Sequence, residues 1–419
     1  MPLLAPDSPP LRRWTPQAWA LAVWLVVFAA VAGRAALAGH PRHAGIYPVY
    51  AKAGGDWAAG RGVYPAADGF DVFRYAPVFA AGFAPLAALP VALGSLVWRV
   101  GTVGLVLSAA ATWARSGPAG AAAGSRARSA FLILVAPLVA WDMACGQTNA
   151  AIGATMLLAA TAAGRGRWWR AAAWLAPACL LKLYPVAFAL LLVAAHPRPL
   201  WWRLPIAVLA GLALPFLLQR PAYVAGQYAD WARTVLADDG RQGWAVGMSY
   251  RDVRMVFRVW GEPLAPGAFL ALQLGGAAAA AASCCFGAAG GRRWRAVGLG
   301  GAWMTVLGPA TEGVTYAIAG PALAWGVVAV TLRDPGRAVR GLVWGGYALV
   351  ASGYLAYLFP FGGGYNELGV QPAGGVLFTL GFVGLELGRI DGAPATRRWA
   401  QFRRRLALPS RPESAERVG

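Results

Sequence analysis

The chain has 419 residues, 58% of them hydrophobic and 13% charged, with a net charge of +20. A soluble domain carries about 25% charged residues, so this composition, with apolar runs of roughly 17–24 residues, excludes a water-soluble domain and requires a membrane protein. The positive charge lies in short Arg clusters between apolar runs, as in cytoplasmic loops, and nothing resembles a nucleic-acid module.

In chain order, Arg12 and Arg13 precede a first span at 17–38. No small-residue cleavage site closes it, so it reads as retained. A polar loop follows, with an interfacial helix over 46–59 expected to set Tyr47, Tyr50 and Trp57 at the headgroup level. Residues 76–88 are apolar, too short to cross, and end at Pro90. A crossing there would place the loop of Arg115, Arg126 and Arg128 outside, so the segment is read as a short helix on the outer surface.

Spans follow at 92–114, 129–145 and 148–163. The pieces 171–181 and 184–195 meet at Lys182-Leu183-Tyr184-Pro185. Each reaches only roughly 18 Å, so they are expected to enter and return as a broken helix pair lining a cavity. Further spans near 201–218, 265–288, 296–311, 314–331, 341–358 and 370–388 give about ten full spans of bilayer length.

The expected architecture is an all-α polytopic membrane protein. It has one integral domain over 1–395, with outer loops 39–91 and 219–264, and a basic, disordered cytoplasmic tail over 396–419. Most of the 37 basic residues then fall inside, and most of the 17 acids outside or in the membrane. The orientation rule does not govern acids, and an outer binding or reaction site would account for them.

The basic residues include only two lysines, Lys52 and Lys182. Lys182 lies in an apolar stretch, where a cation is costly and marks function by default. Its natural partner is a phosphate or a carboxylate such as Asp142; a purely structural ion pair is the alternative. Asp56, near the end of the interfacial helix, is either a solvated loop acid or a base whose pKa is raised at the membrane surface. Gln147 and Asn149 suit sugar hydroxyls, and Thr148 or Asn149 equally suits helix capping. Glu312 sits at the outer junction of two spans and is read as Lys182 is. If helical, Arg251, Arg254 and Arg258 share one face, suited to lipid phosphates or ordinary headgroups.

Cys145, Cys179, Cys284 and Cys285 lie in apolar runs and form neither a disulfide framework nor a metal spacing. There is no nucleotide-binding loop and no nucleophile elbow. No metal or cofactor is expected, and an enzyme here uses an activated, membrane-borne substrate.

Five pieces together resemble glycosyltransferase family 87, the polyprenol-phosphate-mannose-dependent mannosyltransferases of the C-type membrane fold. They are Ala59-Gly60-Arg61-Gly62-Val63-Tyr64, Phe73-Arg74-Tyr75-Ala76-Pro77, the stretch from Pro85 to Pro90, Gly146-Gln147-Thr148-Asn149, and Leu181-Lys182-Leu183-Tyr184-Pro185. The resemblance covers about residues 45–200. It implies transfer of a hexose from a polyprenyl-phosphate sugar donor to a lipid or glycan acceptor, with inversion, on the non-cytoplasmic side of a bacterial plasma membrane.

A first-loop Asp acts as base in such enzymes, and basic side chains neutralise the leaving phosphate. Arg74, Tyr75, Gln147, Asn149, Lys182 and Tyr184 are the implied substrate contacts, with Glu312 and the Arg251, Arg254, Arg258 face beside them. One departure stands out: the family's Asp position is Ile46 here, so Asp56, or else Asp71, must substitute. A transporter or flippase of lipid-linked saccharides predicts inverted repeats, and none is visible. A non-catalytic member of the same fold stays open because of Ile46.

Overall fold

The computed structural model describes residues 15–64, 72–116, 124–237, 244–287 and 291–387. Asp71 and the tail over 396–419 lie outside these residues. Every regular element among them is helical, because an apolar run away from water must satisfy its own backbone polar groups.

α1 (Pro16–Ala36) opens on Thr15, whose hydroxyl accepts from the Ala18 N–H, with Pro16 in the first turn. α2 (Pro41–Ala44) is a single turn, and α3 (Tyr47–Ala58) and α4 (Pro77–Ala87) are the short helices of the first loop. Gly60, at φ +68°, adopts the left-handed conformation that ends α3. α5 (Val91–Ser116), α6 (Ser125–Ala144) and α7 (Asn149–Gly164) follow.

α8 (Trp168–Leu181) and α9 (Pro185–Ala195) are the two halves of the broken pair. Pro185 has no N–H to continue the α8 ladder, so a new helix starts on it. The halves form a hairpin, because the Trp168 ring opening α8 lies 5.2 Å from the His196 ring just past α9. Lys182 and Tyr184 therefore sit at the hairpin's tip.

α10 (Pro197–Leu200) turns the chain into α11 (Arg203–Ala213), which tightens into a 3-10 turn over Leu214–Leu217. α12 (Pro221–Leu236) and α13 (Val253–Trp260) occupy the second long loop. Then come α14 (Pro266–Phe286), α15 (Arg292–Ala302), α16 (Gly320–Arg333), α17 (Arg337–Ala356), α18 (Gly362–Glu367) and α19 (Val370–Leu387). α15 widens into a π turn over Trp303–Leu307, and a 3-10 helix over Gly313–Ile318 leads into α16.

Among the described residues, six segments are long and apolar enough to cross a membrane: Pro16–Ala36, Val91–Ser116, Ser125–Ala144, Pro197–Leu217, Pro266–Phe286 and Val370–Leu387. The ten expected spans include four elements outside these six. One is α7, whose 16 residues extend about 24 Å against a hydrocarbon core of about 30 Å. Large apolar side chains on the outer faces, such as Val26 and Leu209, are exposed, as lipid-facing residues are. The chain is an integral membrane protein.

Glycines set the closest approaches. A methyl group at Gly346 would lie 2.6 Å from the Phe378 nitrogen, so α17 and α19 meet backbone to backbone. A methyl at Gly54 would lie 2.9 Å from the Phe83 carbonyl carbon, so α3 presses directly on α4. That contact corrects one expectation. Tyr47, Tyr50 and Trp57 are buried in a second hydrophobic cluster with Phe79 and Phe83. Spaced three and seven residues apart, they form the inward stripe of an amphipathic helix.

Candidate functional site

The site grows from the turn between α6 and α7. Gly146 takes φ +72°, and its carbonyl accepts from Trp98 Nε1 at 2.8 Å. The Cys145 carbonyl accepts the Ile46 N–H at 3.1 Å. This turn is thereby clamped onto α5 and the start of α3.

Asp142 is fully buried; its Oδ1 accepts from Asn149 Nδ2 at 2.9 Å and its Oδ2 from the Ala150 N–H at 2.8 Å. The cap of α7 is thus supplied by Asp142 from the preceding helix, and neither Thr148 nor Asn149 makes a side-chain cap. Asn149 is left with its Oδ1 free to accept, and it takes Lys182 Nζ at 2.8 Å and the Tyr184 hydroxyl at 2.9 Å. Lys182 does not reach Asp142 as expected. The amide of Asn149 stands between them.

Aromatic rings complete the enclosure. Lys182 Nζ lies 5.5 Å from the centre of the Tyr184 ring and 6.0 Å from that of Tyr75, within cation–π range. Tyr75 shares a 2.6 Å hydrogen bond with the Tyr50 hydroxyl and a 3.4 Å one with Thr148. The Tyr75 carbonyl accepts from the Tyr64 hydroxyl at 2.6 Å. Tyr184 also meets Thr315 and lies in electrostatic reach of Glu312. Glu312 caps the 3-10 helix, and its own N–H donates to Thr315 Oγ1 at 3.0 Å.

The structure thus brings together Tyr75, Asn149, Lys182, Tyr184 and, through Thr315, Glu312. Gln147 is half-buried in the same turn. Arg74 lies next to Tyr75, its carbonyl accepting from Trp231 Nε1 at 3.1 Å.

Asp56 belongs to a separate cluster. Its carboxylate takes Lys52 Nζ at 2.6 Å and Arg61 through Nε at 2.9 Å and Nη2 at 2.8 Å. Burial pushes this carboxyl up, but the hydrogen bonds and charges of Lys52 and Arg61 outweigh burial and hold it below its ordinary value. That reverses the raised pKa expected from the sequence.

The three arginines of the second loop also separate. Asp252 caps α13 by accepting the Arg254 N–H at 2.8 Å, so Arg251 precedes the helix and shares no helical face with the others. Arg251 is buried and donates to the carbonyls of Asn366 and Gly247, each at 3.0 Å. Arg254 grips Asp252 through Nε and Nη2. Arg258 is exposed and donates to Ser249 Oγ at 2.7 Å.

The sequence does not single out Thr315, and it presents Tyr50 and Thr148 as an interfacial aromatic and a helix cap rather than as neighbours of the site. For Tyr50 a signal existed in the helical spacing of Tyr47, Tyr50, Gly54 and Trp57. Thr315 had none, because it reaches Tyr184 only through the packing of a distant segment.

Residues 73–309 match glycosyltransferase family 87. No curated protein matches the chain. Among solved structures it is similar to ArnT from Cupriavidus metallidurans bound to undecaprenyl phosphate, at 18% identity and a TM-score of 0.34, over 89% of this chain and 77% of that one. The family match spans more than half of the chain and contains Tyr75, Asn149, Lys182 and Tyr184, the residues that converge at the hairpin tip. This membrane-embedded chain therefore belongs to glycosyltransferase family 87.

Proposed function

We propose that the protein moves a hexose, mannose first among candidates, from a polyprenyl-phosphate donor to a hydroxyl of a lipid or glycan acceptor. The reaction runs with inversion on the non-cytoplasmic face of a bacterial plasma membrane. The observation that carries this reading is the state of Lys182. Its ammonium has three donors, and among the described residues one is engaged, by an amide oxygen and not by a carboxylate. Both its charge and its remaining donors are available to a phosphate.

The acceptor oxygen bonds to the anomeric carbon as the bond from that carbon to the phosphate oxygen breaks. The bonding pair leaves with the phosphate. Lys182, aimed by Asn149, stabilises the charge that gathers there. Tyr184 offers a hydrogen bond and Tyr75 a ring edge to the sugar, while the buried Asn149 and Tyr50 hold them in place.

The acceptor proton passes to a carboxylate. Asp56 is the base from the first-loop reading. Asp71 is the alternative from the same loop, and Glu312, whose side chain accepts the N3 backbone N–H of the 3-10 helix, is a third carboxylate to test.

Purified full-length protein given polyprenyl-phosphate mannose and membrane lipid acceptors should form a glycolipid. Lys182→Met should leave the fold intact and weaken donor binding by about 1.5–3 kcal/mol, roughly 10- to 150-fold. Unchanged donor affinity in a folded variant removes Lys182 from the site.

A further inference from the structure

The bundle holds a large cavity away from the hairpin tip. Its volume is about 1020 Å³, at the top of the roughly 300–1,000 Å³ range of small-molecule sites. It lies between α14, α15 with its π turn, and α19, and most of its wall is apolar, as at Gly276, Trp303, Val376 and Leu380. One end differs. There Arg295 Nη1 donates to Glu386 Oε2 at 3.3 Å in a largely buried ion pair, and Arg295 Nε donates to the Ser283 carbonyl at 2.9 Å.

The position of that end follows from α9. Arg292, in the same turn as Arg295, donates to the Ala195 carbonyl at the last residue of α9. α9 begins beside Lys182 and has 11 residues, about 16 Å. The charged end is therefore a helix length away from the Lys182 site. From Val376 to Glu386 the cavity follows α19 for about 15 Å, half of the roughly 30 Å hydrocarbon core. That is the depth of one leaflet.

We infer that this cavity binds a bilayer phospholipid with a zwitterionic, ammonium-bearing headgroup, in the leaflet opposite the Lys182 site. Its acyl chains lie on the apolar wall, its phosphate meets Arg295 and its ammonium meets Glu386. Charge complementarity selects the headgroup. The polar end is an ion pair with one positive and one negative side, so a zwitterion lies against it with its charges matched head to tail, while an anionic headgroup at Arg295 brings a second negative charge beside Glu386. Binding here is independent of the sugar donor, whose phosphate belongs at the other end of α9.

The test is native mass spectrometry of the delipidated full-length protein, titrated with phosphatidylethanolamine, phosphatidylglycerol or polyprenyl phosphate. One phosphatidylethanolamine per chain should bind, roughly tenfold more tightly than phosphatidylglycerol, the scale of one charge-assisted contact. Ala279→Trp fills the cavity and should abolish this binding; Val383→Trp serves the same purpose if the first variant misfolds, with thermal midpoints as the check. Glu386→Gln should erase the headgroup preference and leave the acyl contacts. Unchanged binding in a folded, cavity-filled variant overturns the inference, as does equal affinity for the two phospholipids. One-for-one displacement by polyprenyl phosphate overturns it too, by making the cavity the berth of the donor's tail.

Discussion

Lys182 and Asp56 are both charged residues in contact with polar partners, yet their contacts leave them in opposite states. Lys182 has an amide oxygen as its direct partner and, among the described residues, no carboxylate in contact, whereas Asp56 is matched by two cations. Paired this way, Asp56 is a weaker base, since basicity falls with pKa. Removing a general base commonly costs about 10²–10⁴-fold in rate, so Asp56→Asn and Glu312→Gln separate these carboxylates. The variant whose turnover collapses while donor binding survives identifies the base, and Asp71→Asn is read beside them. If none of these variants changes turnover, the transferase reading gives way to a transporter of lipid-linked saccharides. Asp56 also predicts a pH dependence. Its folded pKa lies below the unfolded one, so its pairs add stability above the ordinary carboxylate range, near about pH 4. That stability is lost as pH falls through the folded value. Lys52 and Arg61 are largely exposed, so the effect is small. Acidification below about pH 4 should lower the thermal midpoint of the wild type more than that of Asp56→Asn, and equal drops would show that the pairs add nothing.

Between elements, glycine decides which helices touch. Gly54 meets the α4 backbone, whereas a methyl at its neighbour Gly55 would meet nothing within 4 Å. Gly54→Ala must push α3 from α4 and should destabilise by about 1–3 kcal/mol. Gly55→Ala should be neutral or stabilising by up to about 1 kcal/mol, as expected for a helix interior. Thermal unfolding in detergent compares the two, and equal shifts would show that the close approach is not required. The break between α8 and α9 was legible, because Pro185 and the cation at Lys182 interrupt an apolar run at a fixed point. The start of α13 was misread, because Asp252 is also an N-cap residue type and the arginine spacing drew the helix two residues too early. The aromatic stripe of α3 had the right period but two available partners, lipid and protein, and only the position of α4 selected protein.

For the whole molecule, the distribution of arginine predicts sidedness. Single cysteines at Ser125, opening α6, and Ala245, in the second long loop, introduced into a background without the four native cysteines, should label from opposite sides of the membrane. Labelling from the same side would overturn the topology and the non-cytoplasmic site with it. The amino-acid sequence by itself determined that the chain is helical and membrane-embedded, and roughly where the long apolar helices begin and end, though not the helices α12 and α18. These follow from run length, proline and charge, which act within one segment. It also pointed to Lys182, since a cation in an apolar run is costly wherever the fold places it. Only the tertiary structure decided what Lys182 touches. Asn149 is 33 residues away in sequence, and it is presented to Lys182 because Asp142 occupies its amide nitrogen and the α8–α9 hairpin brings the tip to that turn. The pairing of Asp56 and the burial of Arg251 arise in the same way: a side chain's partners depend on where other segments pack, and no local pattern in the sequence encodes that distance.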